Sequence, residues 1–228
     1  MKQRKLLSFL QLPKRPVILT IHGYGRRRSH EMDNLVNWAK KEHFDIIQFD
    51  LYDLFDERDC DPRQWLDRAR AQVEKVLAEG RSLYLLGFSM GGVIASYLAS
   101  LYPIEKLVLV APAFTYLDMS KTADYLRKGT RMLFHSDGEQ NTVSVPKSFY
   151  PAFVEIVRNC RDSFVSVHCP ILFLHGDADE VIPLKSSIHA YEKVTHPDKR
   201  LIILHEGRHH LLSEPISANE CYQLILVF

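Results

Sequence analysis

Six short runs of apolar and β-branched residues recur along the chain, and each is bounded by polar or turn-forming positions. They span residues 17–22, 45–49, 82–87, 106–110, 170–175 and 200–204. Each run is continuous rather than alternating, which is typical of strands that are covered on both faces. Longer stretches with helical spacing separate the runs, so the pattern predicts a doubly wound, mostly parallel sheet flanked by helices.

Helices are predicted over residues 63–79, 89–101, 184–194 and from 215 onward. The first of these stretches carries its apolar side chains at helical intervals and ends at Gly80. No internal repeat or low-complexity linker divides the sequence. We therefore expect one α/β domain over residues 1–228.

Residues 112–167 interrupt the alternation, because no clear strand occurs there and the segment is too long for a simple connection. Its aromatic residues are Phe114, Tyr116, Tyr125, Phe134, Phe149, Tyr150, Phe153 and Phe164. One interpretation is a small helical lid over a binding site, inserted between the strands that end near Val110 and begin near Pro170. The other is a helical subdomain whose aromatic side chains fill its own core.

The charge balance argues against a polyanionic partner. The 228 residues include 29 Lys and Arg against 28 Asp and Glu, a formal charge of +1, so no global field attracts nucleic acid. A local basic run, Arg26, Arg27 and Arg28, is either a solvated turn or a site for an anionic substrate group. Four scattered cysteines show no metal-like spacing, so no metal site is predicted.

The N-terminal apolar run is short and interrupted, and no signal-peptide cleavage pattern follows it. No window approaches the roughly 18 consecutive apolar residues that a membrane-spanning helix requires. We therefore expect a cytoplasmic protein without a membrane span.

The pentapeptide Gly87-Phe88-Ser89-Met90-Gly91 fits the nucleophile-elbow pattern G-x-S-x-G and lies between a predicted strand and a predicted helix. Such a turn holds the serine in a strained backbone conformation. It also places the serine hydroxyl at a helix N-terminus, where backbone N–H groups favour negative charge. Ser89 is therefore the predicted nucleophile.

The sequence "HGYG" at residues 22–25, directly after the first strand, predicts an oxyanion loop. Acyl transfer develops a negative charge that about two preorganised donors stabilise. The N–H of Met90 follows the nucleophile and is one candidate. The N–H of Tyr24 is the other, because the flanking glycines allow the loop to turn this amide inward.

A serine hydroxyl becomes nucleophilic when a histidine takes its proton and a carboxylate orients that histidine. Two loops carry candidates, and both follow the carboxyl ends of strands, where an open α/β sheet binds its ligand. The candidates are Asp177, Asp179 and Glu180 in the first loop, and Glu206, His209 and His210 in the second.

Together these motifs resemble the α/β-hydrolase superfamily, in particular small bacterial carboxylesterases and monoacylglycerol lipases. The likeness runs from "HGYG" through "GFSMGG" and "HGDADEVIP" to "GRHH" and covers nearly the whole chain. It implies that Asp179 is the acid, that a histidine of the last loop is the base, and that Tyr24 and Met90 supply backbone oxyanion donors. It implies no organic cofactor and no metal.

Comparison with that family favours His210 as the base. His210 lies three positions after Gly207, as in the family, and the apolar pair that follows resembles the entry to its terminal helix. We expect His209 at the pocket rim or toward solvent, and Asp177 hydrogen-bonded to the turn backbone. The doubled histidine departs from the family. The few residues before the first strand also suggest that one or both of the usual leading strands are missing.

The sequence therefore predicts a serine hydrolase that cleaves a small-molecule carboxylic ester of short-to-medium acyl chain through an acyl-enzyme on Ser89. Cleavage of a thioester, amide or lactone would use the same groups, and the sequence does not choose among them. A different class of function is a non-catalytic hydrolase-fold protein that binds a ligand or partner. The oligomeric state is left open.

Overall fold

A single parallel sheet organises the computed structural model, which describes residues 14–25, 28–42, 44–115 and 145–228. Within these residues six strands pair in the order β2-β1-β3-β4-β5-β6. They are β1 (Val17–Ile21), β2 (Asp45–Gln48), β3 (Leu83–Phe88), β4 (Lys106–Val110), β5 (Ile171–Gly176) and β6 (Lys199–Leu204). Each lies within a residue of a predicted run, so the predicted α/β architecture is confirmed.

Helices flank this sheet. In the described residues they are α1 (Arg28–Lys41), α2 (Pro62–Ala78), α3 (Met90–Leu101), α4 (Phe149–Cys160), α5 (Lys185–Lys193) and α6 (Pro215–Val227), with a 3₁₀ helix at Ser163–Ser166. Helix α2 begins where the Asp61 carboxylate accepts a hydrogen bond from the Arg63 N–H, with Pro62 in the first helical position. Helix α1 is absent from the sequence-based prediction.

Alternate residues of the central strands pack into different helical layers. On β1, Leu19 lies in a core shared with α2, α3 and α4, whereas Ile18 lies in a core shared with α1 and α6. Trp65 of α2 and Leu35 of α1 are fully buried in these two cores. The sheet is therefore covered on both sides, as a doubly wound fold requires.

The two edge strands are less covered than the central four. All four residues of β2 are partly exposed, and Ile203 on β6 is 46% exposed. The prediction that every strand is buried on both faces is therefore wrong at the edges. The flanking helices cover the middle of a twisted sheet more completely than its margins.

The segment predicted as a lid is described only at its two ends, since residues 116–144 lie outside the described part of the chain. Helix α4 and the 3₁₀ helix belong to its second half and pack against α3. Phe114, Phe149, Phe153 and Phe164 are all at most 2% exposed and join the same core as α2 and α3. These aromatic side chains stabilise the main domain, and a lid formed by the rest of the segment stays a prediction.

The strand order brings together the loops that carry the candidate site residues. Because all strands run in the same direction, their carboxyl ends lie along one edge of the sheet. Strand β1 pairs with β3, with Ile21 opposite Gly87, and β5 pairs with β6, with Gly176 opposite Leu204. The loops that follow β1, β3, β5 and β6 therefore emerge on the same side of the molecule.

Candidate active site

Ser89 occupies the turn between β3 and α3 in a left-handed backbone conformation, with φ 53° and ψ −117°. Residues with a side chain rarely adopt positive φ, so the surrounding hydrogen bonds hold it there. The Ser89 N–H donates to the Val110 carbonyl at 2.9 Å, and the Ser89 carbonyl accepts from the N–H groups of Gly92 at 3.0 Å and Ala113 at 3.2 Å. Ala111, in the loop after β4, also has positive φ (44°). The strained serine conformation that the motif predicts is confirmed.

The loop after β1, which is the predicted oxyanion loop, directly contacts the turn at Ser89 because two glycines lack side chains. A Cβ on Gly91 would lie 2.0 Å from the carbonyl oxygen of Ile21, so α3 starts against the end of β1 only because this position is glycine. A Cβ on Gly23 would lie 2.9 Å from the Phe88 ring and 3.3 Å from Ser89 Cβ. The loop that follows β1 is therefore packed onto the predicted nucleophile.

The two candidate oxyanion donors are the N–H groups of Tyr24 and Met90, which follow Gly23 and Ser89 in sequence. Neither N–H donates a hydrogen bond within the part of the chain that the structure describes. Met90 is the first residue of α3, where the helix dipole favours negative charge. The Tyr24 ring packs on Phe153 of α4 with centroids 4.8 Å apart, and burial raises the pKa of the Tyr24 phenol.

The Asp179 carboxylate is fully buried and hydrogen-bonded on both oxygens. Its Oδ1 accepts from the N–H groups of Val181 and Ile182, each at 2.8 Å. Its Oδ2 lies 2.8 Å from His209 Nδ1 and 3.3 Å from His175 Nε2. Burial alone would raise the pKa of this carboxyl, but hydrogen bonds from His175, His209 and the Ile182 amide hold it well below its usual range. Asp179 is therefore ionised.

His209, and not His210, is the histidine that meets Asp179. Because an ionised carboxylate only accepts hydrogen bonds, Nδ1 of His209 carries a proton, and in the neutral ring Nε2 is left as the basic nitrogen. The His209 ring is 3% exposed and packs against Phe88, the neighbour of Ser89, with centroids 4.8 Å apart. The His210 ring is half-buried and contacts the same phenylalanine at 5.5 Å. The prediction that His210 contacts Asp179 is wrong.

The backbone after β6 explains why His209, and not His210, contacts Asp179. Glu206 adopts a positive φ of 56°, which turns the chain sharply at the start of the loop. The His209 N–H then donates to Oε2 of Glu180 at 3.4 Å, which fixes this residue beside the loop that carries Asp179. The His210 carbonyl accepts from the N–H groups of residues 213 and 214, both at 3.0 Å. His210 thus already belongs to the turn that leads into α6.

The other acidic candidates bind the loops themselves. Asp177 accepts from the Glu206 N–H at 2.6 Å and from His205 Nδ1 at 3.0 Å, and the hydrogen bond from His205 lowers the pKa of Asp177. Glu180 pairs with Arg208 at 3.1 Å. The backbone N–H bound by Asp177 belongs to the loop after β6 and not to the turn of Asp177 itself, where the hydrogen bond was predicted.

His175 is a buried partner of Asp179 that the sequence reasoning treats only as the end of a strand. Its Nε2–H is shared between the Ile182 carbonyl at 2.9 Å and Asp179 Oδ2 at 3.3 Å, and its Nδ1 lies 2.7 Å from the Ser187 hydroxyl. The signal was present in the sequence, since a histidine at the end of a buried apolar strand requires hydrogen-bond partners. The acidic loop directly after β5 supplies one of them.

Several predictions concern groups outside this cluster. Arg26 and Arg27 lie outside the described residues, and Arg28 is the first residue of α1. Among the described residues, no group of three or more His, Cys, Asp or Glu side chains is arranged to hold a metal ion. In the same residues, no helix combines the length and apolar character needed to cross a membrane.

The chain is similar in sequence to several known proteins. A family model described as "Serine aminopeptidase, S33" (Hydrolase_4) matches residues 131–216. The palmitoyl-protein thioesterase ABHD10 of Rattus norvegicus is 24% identical over 237 residues, which cover 92% of this chain and 78% of that protein. The serine hydrolase BPHL of Mus musculus is 28% identical over 194 residues, which cover 75% and 65% of the two chains.

The fold has close counterparts among solved structures. The monoacylglycerol lipase of Paleococcus ferrophilus superposes with a TM-score of 0.68 at 17% identity and covers 94% of this chain and 95% of the lipase. At this level of identity the likeness concerns the fold. The chain therefore has the fold of the α/β hydrolases, and in sequence it is similar to a palmitoyl-protein thioesterase and to a serine hydrolase.

Proposed function

We propose that the protein hydrolyses carboxylic esters through an acyl-enzyme on Ser89, without a cofactor. The observation that carries the proposal is the buried pair of Asp179 and His209, bonded at 2.8 Å and packed against Phe88 at the nucleophile turn. Such a pair would supply an oriented base to the serine that the turn places at a helix N-terminus.

The protonation states of these groups determine the steps of the proposed reaction. His209 Nε2 takes the proton of the Ser89 hydroxyl as its oxygen attacks the ester carbonyl, and the oxyanion accepts from the N–H groups of Tyr24 and Met90. The imidazolium then gives its proton to the leaving alcohol, and an acyl-enzyme remains. A water molecule, deprotonated by His209, attacks the acyl-enzyme and releases the carboxylic acid and Ser89. Asp179 stays ionised throughout, since its hydrogen bonds favour the charged form.

The first test is covalent labelling by a fluorophosphonate together with turnover of p-nitrophenyl esters. We expect Ser89→Ala to abolish labelling and to lower turnover by at least about 10⁴-fold while the protein stays folded. Ser96→Ala is a matched control in the same helix, because the Ser96 hydroxyl is buried and has no hydrogen-bond partner in the described residues. Near-normal turnover in folded Ser89→Ala would contradict the proposal, and absence of labelling in the wild type would favour a non-catalytic binding protein.

The substrate is proposed to carry a short-to-medium acyl chain, because a small insertion such as residues 112–167 covers less apolar surface than a long chain needs. A series of p-nitrophenyl esters of increasing chain length tests this proposal. A steady rise in kcat/KM up to the longest chains would contradict it.

A thioester is the second candidate substrate, since the rat relative is named a palmitoyl-protein thioesterase. Thioester hydrolysis would use the same serine, histidine and donors with a thiol as the leaving group. Comparing matched oxygen esters and thioesters of one acyl chain separates the two candidates.

The cytoplasmic location stays a prediction, and cell fractionation tests it.

A further inference from the structure

Tyr52, in the loop after β2, reaches into the oxyanion loop with its hydroxyl. The Tyr52 residue is 2% exposed, and its ring is held by Trp65 and Phe149 at centroid distances of 4.4 Å and 5.1 Å. The hydroxyl donates to the Gly23 carbonyl at 3.0 Å and accepts from the Gly25 N–H at 2.7 Å. One phenol oxygen thus bridges the two glycines that flank Tyr24.

A second donor acts on the same carbonyl. The Leu51 N–H donates to His22 Nε2 at 3.0 Å, so this nitrogen is unprotonated and Nδ1 carries the proton. His22 Nδ1 then donates to the Gly23 carbonyl at 2.9 Å. Within the described residues, the two side chains that donate to the Gly23 carbonyl, those of His22 and Tyr52, are therefore both buried.

The direction of the Gly23 carbonyl determines the direction of the Tyr24 N–H, because both belong to one peptide group. In a trans peptide the C=O and N–H bonds point in opposite directions. With its carbonyl turned toward Tyr52 and His22, this peptide turns its N–H away from both side chains. That N–H has no partner in the described part of the chain, and Gly23 itself packs onto Ser89.

We propose that Tyr52 is a positioning residue for oxyanion stabilisation, because its hydroxyl locks the Gly23–Tyr24 peptide with the N–H free for the substrate oxyanion. The Gly25 N–H, which lies in the same loop, is occupied by the phenol oxygen and so does not compete for that role. This inference rests on the proposed ester hydrolysis at Ser89.

The test is Tyr52→Phe, which keeps the packed ring and removes only the bridging oxygen. We expect kcat to fall about 10- to 100-fold with KM nearly unchanged, because the lost preorganisation acts on the transition state. Affinity for an alkyl trifluoromethyl ketone, which forms an oxyanion adduct on the serine, should fall by a similar factor. Unchanged kcat and unchanged ketone affinity in folded Tyr52→Phe would overturn the inference.

Tyr102→Phe is the matched control. The Tyr102 hydroxyl donates to Glu74 at 2.6 Å at the far end of α3, a helix of 12 residues and so about 18 Å from Ser89 along its axis. Tyr102→Phe should leave kcat and ketone affinity unchanged. An equal loss in both variants would show a general effect on the fold and overturn the positioning role.

A measurement on the wild type covers the case in which Tyr52→Phe does not fold. On formation of the ketone adduct, the amide proton of Tyr24 should shift strongly downfield in the NMR spectrum, while that of Gly25 should change little. A shift of the Gly25 proton instead would overturn the inference. If the wild type shows neither turnover nor a Ser89-dependent adduct, the proposed function fails, and the inference fails with it; turnover with the wrong amide response overturns the inference alone.

Discussion

At the scale of single residues, the carboxylate of Asp179 determines what the neighbouring histidine can do. Two backbone N–H groups and two imidazoles donate to its oxygens, so its charge is stabilised in a fully buried position. An ionised Asp179 fixes the His209 tautomer with the proton on Nδ1. The same geometry leaves His210 outside the pair, although it is adjacent in sequence and contacts the same Phe88 ring.

The first prediction separates the two histidines. We expect His209→Ala to lower kcat for an ester substrate by about 10⁴-fold or more, because the base and the partner of Asp179 are both lost. His210→Ala should keep activity within about tenfold of the wild type. Steady-state kinetics on both folded variants is the measurement, and a larger loss in His210→Ala would show that the Asp179 contact does not identify the base.

Most of the candidate site was predictable from sequence because the relevant information is local. A serine between two glycines at a strand-to-helix junction already implies the strained turn at Ser89. The choice between His209 and His210 was not predictable in this way. It depends on the positive φ of Glu206 and on a hydrogen bond from the His209 N–H to Glu180. This hydrogen bond joins two loops that are far apart in sequence.

At the scale of elements, the contact between α3 and β1 keeps the loop after β1 against the turn that carries Ser89. The central strands were predictable because they are continuous apolar runs. Helix α1 was not predicted, although Met32, Leu35 and Ala39 have helical spacing and are fully buried. The polar residues between them and the basic run before them mask the pattern, and only the tertiary packing against β1 and α6 makes the apolar stripe evident.

The element-scale prediction concerns Gly91. Gly91→Ala places a Cβ 2.0 Å from the Ile21 carbonyl, so α3 must move away from β1 and the free energy of unfolding should fall by about 3 kcal/mol or more. Gly80→Ala is the control, because Gly80 has φ +65° but no atom within 4 Å of the added Cβ. It should cost only about 1 kcal/mol from backbone strain. Urea unfolding of both variants measures the difference, and equal costs would contradict the tight contact.

At the scale of the whole molecule, buried titratable groups make stability depend on pH. His22 is 1% exposed, and burial lowers its pKa from 6.5 to about 4. Between these values the unfolded chain binds a proton that the folded protein excludes. The stabilisation is therefore complete above pH 6.5 and is lost as the pH falls toward about 4. Its full size is about 3 kcal/mol.

The whole-molecule prediction compares the wild type with His22→Gln, a side chain that still donates and accepts but does not titrate. Between about pH 7.5 and about pH 4.5 the wild type should lose about 2 to 3 kcal/mol more unfolding free energy than the variant. Paired urea titrations at both pH values give this difference and cancel the contribution of the carboxyl groups. Parallel losses in the two proteins would mean that His22 is protonated in the fold at the lower pH.

The positive φ angles described above have a consequence for engineering this protein. Ser89, Ala111 and Glu206, the non-glycine residues with positive φ in the described part of the chain, follow β3, β4 and β6 at the same edge of the sheet. Each conformation lowers the free energy of unfolding by about 1 to 2 kcal/mol. Backbone strain is therefore concentrated where the proposed substrate would bind. Selection for heat resistance alone would therefore favour changes that relax this edge, and the resulting variants would trade activity for thermostability.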